Sequence, residues 1–113
     1  MDLYEEINKL IQQLDYSVKT LRTNGSELAL KEHDYKIKVA QKVFELKSQG
    51  TPATLINLTI YGDKEVAKLR YERDIAETIY NANQESINSI KLKLRILENQ
   101  LNREWGNTKK WKK

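Results

Sequence analysis

The sequence predicts an all-α protein, a long antiparallel two-helix hairpin with coiled-coil character. Three observations lead there. Val66, Leu69, Arg73, Ala76, Tyr80, Asn83, Ile87, Ile90, Leu94, Leu97 and Leu101 recur at alternating three- and four-residue steps, with Arg73 and Asn83 the only polar members. An apolar repeat averaging 3.5 residues is what a helix needs to lie along another helix. A similar series fills the first half of the chain, and only four Gly and one Pro punctuate the 113 residues. Charged residues make up 32% against 39% apolar, which suits long solvated helices better than a thick globular core.

The first helix is expected over about residues 2–49. Its stripe reads Ile7, Ile11, Leu14, Val18, Leu21, Gly25, Leu28, Glu32, Tyr35, Val39, Val43 and Leu46. Asp2, Glu5 and Glu6 place negative charge at the N-terminus, where the helix dipole favours it. Lys47, Gly50 and Thr51-Pro52 form a stop signal. The weak point is Thr23-Asn24-Gly25-Ser26. Asn24 could cap a new helix there, with Glu27 completing a capping box. Leu21 and Leu28 nevertheless stay one heptad apart, so the stripe crosses in phase and a continuous or gently kinked helix is favoured.

The connector, residues 50–63, is apolar. Pro52 permits a short helix over 52–58, whereas the β-branched and aromatic run Thr54 to Tyr61 permits a strand. Leu55, Ile56, Leu58, Ile60 and Tyr61 read either as a plug closing the end of the hairpin or as a docking surface for a protein partner. Asp63 is suited to cap the second helix and Glu65 to its first turn.

The second helix is expected over about 64–105, ended by Gly106 and followed by a flexible basic tail, 107–113. Residues 1–106 then form a single helical-hairpin domain. Antiparallel pairing from the helix ends puts Gly25 near Ile87, Tyr35 near Tyr80, and Trp105 near Tyr4 and Ile7. Ile75, Ile79, Leu92 and Ile96 widen the apolar face beyond what one partner helix covers. That predicts a homo-oligomer, most simply a dimer packed as a four-helix bundle.

Charge is distributed unevenly. Residues 1–50 and 63–106 each carry eight basic and eight acidic residues, so the net +4 comes from Lys109, Lys110, Lys112 and Lys113. Together with Trp111 these interleave cations and an aromatic, a pattern suited to phosphate attraction and base stacking, although a basic end also serves as a solubilising one. Lys91, Lys93 and Arg95, three cations within five residues, are further candidate nucleic-acid contacts.

Chemistry is limited by exclusion. There is one His and no Cys, and no phosphate-cradling Gly-rich loop or nucleophile elbow occurs. No catalytic, cofactor or metal site is expected, and no small-molecule substrate. Glu72, Asp74 and Glu77 alternating with Arg70 and Arg73 read as an ion-paired helix face. His33 reads as an exposed helix residue. Arg73, Glu32 and Asn83 are polar at seam positions, where such residues often set register. The acidic start MDLYEEINKL, the lack of Cys and the lack of a long apolar run lead to the expectation of a cytoplasmic protein.

Roughly residues 25–106 resemble a group of small helical proteins of phages and prophages of Gram-positive bacteria. The likeness is carried by Asp34-Tyr35-Lys36, by the turn Gly50-Thr51-Pro52-Ala53-Thr54-Leu55-Ile56, by Leu69-Arg70-Tyr71-Glu72-Arg73-Asp74 and by Arg103-Glu104-Trp105-Gly106. It implies a setting, the cytoplasm of an infected or lysogenic host. The expected function is that of a non-enzymatic accessory protein binding a protein partner. The alternative is a nucleic-acid accessory factor in phage replication or recombination.

Overall fold

The chain starts its first helix on a carboxylate. Asp2 accepts a 2.8 Å hydrogen bond from the Glu5 amide through Oδ1, and α1 then runs from Leu3 to Ser48. A computed structural model describes residues 2–111, with side chains as far as residue 106. α1 is followed by α2 (Ala53–Thr59), a 3-10 turn (Ile60–Gly62) and α3 (Lys64–Trp111). No strand occurs among the described residues, so the protein is all-α.

α1 passes through Gly25 without a break. The helix tolerates it because an apolar contact continues across the site. A methyl group at Gly25 would lie 3.4 Å from Cε2 of Tyr80 and 4.0 Å from Cδ2, so the ring already occupies the space that a larger side chain would need. The C-terminus of α1 closes in a Schellman turn. The Gly50 amide donates to the Lys47 carbonyl and the Thr51 amide to the Leu46 carbonyl, each at 3.0 Å. That turn requires a left-handed residue, and Gly50 supplies it with φ of 81°.

The connector is helical rather than extended. Pro52 lies just before α2, with φ −59° and ψ 144°, and its carbonyl accepts from the Ile56 amide at 3.1 Å. The β-branched run that permitted a strand has no neighbouring strand to pair with among the described residues, so its backbone groups are satisfied locally instead. Asp63 then caps α3, its Oδ1 accepting from the Glu65 and Val66 amides at 2.9 and 3.1 Å.

Two compact units divide the chain: residues 23–81, and residues 1–22 together with 82–113. In the first, Ile56, Ile60, Tyr35 and Val66 make a buried cluster, with Val39, Val43, Leu46 and Leu69 packed around it. Val66 is fully enclosed. Tyr35 lies against Arg73, and Lys31, Lys38 and Lys42 reach Glu72, Glu65 and Asp63, so the two helices run antiparallel here. In the second unit Asn83 Nδ2 donates to the Ser17 carbonyl at 3.1 Å, and Ile87, Ile90 and Leu94 are buried.

Three expectations need correction. Gly25 faces Tyr80 instead of Ile87, and Tyr35 faces Arg73 instead of Tyr80, a shift of one heptad in each case. The cause is α2 and the 3-10 turn, which fold back onto the last turns of α1 through Ile56 and Ile60. α3 therefore begins alongside Lys38–Lys42 rather than level with Ser48. Near the start of α1, Ile11 and Val18 are 43% and 38% exposed, whereas Leu10 and Ser17 are half-buried. A single partner helix covers two of every seven positions, and here they are the one shared by Leu10 and Ser17 and the one shared by Ile7, Leu14 and Leu21, all half-buried. Finally, α3 does not stop at Gly106 but continues to Trp111. Gly106 lacks the positive φ of a terminating glycine, and a glycine with helical angles costs only about 1 kcal/mol.

Because contact with Tyr80 leaves room for one methyl group and no more, Gly25→Ala should stabilise the fold by about 0.5–1 kcal/mol. Gly25→Leu should destabilise it by displacing the Tyr80 ring. Urea denaturation followed by circular dichroism separates the two, and a loss of stability in the alanine variant would contradict the packing described.

Candidate functional site

The connector separates its five apolar residues by helical phase. Ile56 and Ile60, four residues apart, point inward and are 3% and 4% exposed. Leu55, Leu58 and Tyr61 point outward at 48%, 82% and 51%. Both readings of this stretch therefore find residues to support them, one set holding α2 in place and the other facing solvent. Arg70 Cζ lies 5.6 Å from the Tyr61 ring centroid, which limits the orientation of that ring. Beside Leu58 is a hollow of about 540 Å³, lined by Leu46, Leu58 and Ile60 and rimmed by Lys42, Glu45 and Asp63.

That rim is the most structured charge cluster among the described residues. Lys42 Nζ is 3.3 Å from Glu65, 3.8 Å from Asp63 and 3.9 Å from Glu45. The hydrogen bond from Lys42 lowers the Glu65 pKa, and the same bond raises that of Lys42. Asp63 is lowered mainly by the Val66 amide it accepts from. Glu65 and Glu45 are exposed and Lys42 and Asp63 half-buried, and the value of the cluster is positional, tying the start of α3 to α1 beside the connector.

The seam polars take different roles. Arg73 lies over the Tyr35 ring at 4.7 Å and turns its head to Asp74 at 2.7 Å. Asn83 bridges to α1 through Ser17, as noted. Glu32 is half-buried on the same face as Tyr35. His33 is exposed, with Nδ1 3.2 Å from Asp34. Among the described residues no three His, Asp or Glu side chains converge as a metal site would require.

The basic cluster of α3 is split by the helix. Lys93 shares a groove of about 480 Å³ with Lys9, Glu6, Leu10, Gln13, Ile96 and Leu97. Lys91 and Arg95, one turn apart, project on another flank because residues two apart do not face each other. All three are exposed, and no ion pair within 4.0 Å involves them among the described residues. The side chains of Lys109, Lys110, Trp111, Lys112 and Lys113 lie outside the described residues.

One surface escaped the sequence reading. Leu30, Ile37 and Phe44 follow each other at heptad spacing along α1 and are 52%, 44% and 72% exposed. The signal was present as a period of seven, but on a face away from the stripe that defines the hairpin. Compared with protein-family models, curated proteins and solved structures, the chain matches none. Among the described residues no helix is long and apolar enough to cross a membrane.

A carboxylate whose folded pKa is depressed stabilises the fold above its unfolded value, and that contribution is lost as pH falls through the folded value. The contributions of Asp63 and Glu65 should therefore be present at neutral pH and disappear below about pH 4. In Asp63→Asn the cap can persist without the charge, so its urea midpoint should fall less between pH 6 and pH 2 than that of the parent chain. Identical pH profiles would show that Asp63 acts only as a cap.

Proposed function

We propose that this chain is a non-enzymatic accessory protein that assembles as a dimer in a four-helix bundle and acts by holding a protein partner at its connector. The observation that carries the partner reading is the exposed trio Leu55, Leu58 and Tyr61 on a short helix pinned from below by Ile56 and Ile60. Apolar side chains held out on a supported element give a partner contact area at little ordering cost. The polar rim of Lys42, Glu45 and Asp63 beside Leu58 would add orientation.

Dimerisation is supported by apolar side chains left uncovered on α3, where Ile75, Ile79, Leu92 and Ile96 are 42%, 50%, 54% and 54% exposed. The setting in a phage or prophage, and in the cytoplasm of its host, rests on the sequence resemblance alone.

Tagged chain and a Leu55→Ser/Leu58→Ser/Tyr61→Ser variant, checked for equal helicity, should differ in a pull-down from host cells. The parent should retain one protein in near-stoichiometric amount and the variant should lose it. Equal capture by both would remove the connector as the docking site.

A second reading has its own observation: among the described residues Lys91, Lys93 and Arg95 have no carboxylate within 4.0 Å, whereas Lys31, Lys38 and Lys42 in residues 23–81 are ion-paired. Unpaired cations are available to phosphates. If the chain serves phage replication or recombination in this way, it should shift single-stranded DNA in a gel, with affinity falling about tenfold or more between 50 and 200 mM salt. Lys91→Gln/Arg95→Gln should weaken that shift. Absence of binding at low salt would end this reading.

A further inference from the structure

No further inference is drawn: the strongest candidate, the groove of about 480 Å³ lined by Leu10, Ile96 and Leu97 within residues 1–22 and 82–113, carries nothing, because Lys9 and Lys93 beside it are exposed surface lysines offset in part by Glu6 and nothing in the structure shows what covers it.

Discussion

The packing of Ile56 and Ile60 onto Tyr35 and Val66 is the contact on which the helix pairing depends. Two helices with heptad stripes can slide past each other by seven residues and still match apolar face to apolar face. Nothing in the stripes alone discriminates between such registers. The connector does, because α2 and the 3-10 turn occupy the last turns of α1 and leave α3 to begin alongside Lys38 and Lys42. Asp63 then serves two purposes, capping α3 through two backbone amides and receiving Lys42 from α1. Cap, ion pair and apolar cluster coincide within a few residues and agree on one register.

Farther along, polar groups take over that role. Arg73 over Tyr35 and Asn83 on the Ser17 carbonyl are contacts that a heptad slip would break without replacement. Their stabilisation is modest, since a cation–π contact at a partly exposed site contributes about 0.5–1 kcal/mol. Their specificity is larger than their energy, because an alternative register leaves polar atoms facing the apolar seam. Gly25 belongs with them, since the Tyr80 ring fits there and would not fit over a larger residue.

The same economy explains the surface. One partner helix covers two positions in seven, and α1 and α3 each carry more apolar residues than that. Ile11, Leu30, Ile37 and Phe44 on α1, and Ile75, Ile79, Leu92 and Ile96 on α3, are all more than 40% exposed. α2 covers part of the remainder, around Val39, Val43 and Leu46. What stays uncovered is arranged in rows rather than scattered, and rows are what a neighbouring helix can use.

The sequence by itself determined the helical class and the buried face of α3. Every member of the stripe from Val66 to Leu101 is buried or half-buried, because periodicity is a local property that one strand of text records in full. It also identified the connector as the apolar anomaly, though not which of its five residues would turn inward. Only the tertiary structure decided the register, the choice of Leu10 and Ser17 over Ile11 and Val18, and the burial of Ile56 and Ile60. Those outcomes depend on which surfaces meet across long separations in sequence. The continuation of α3 past Gly106 shows the same limit from the other side: glycine permits a stop, but its backbone angles follow its surroundings.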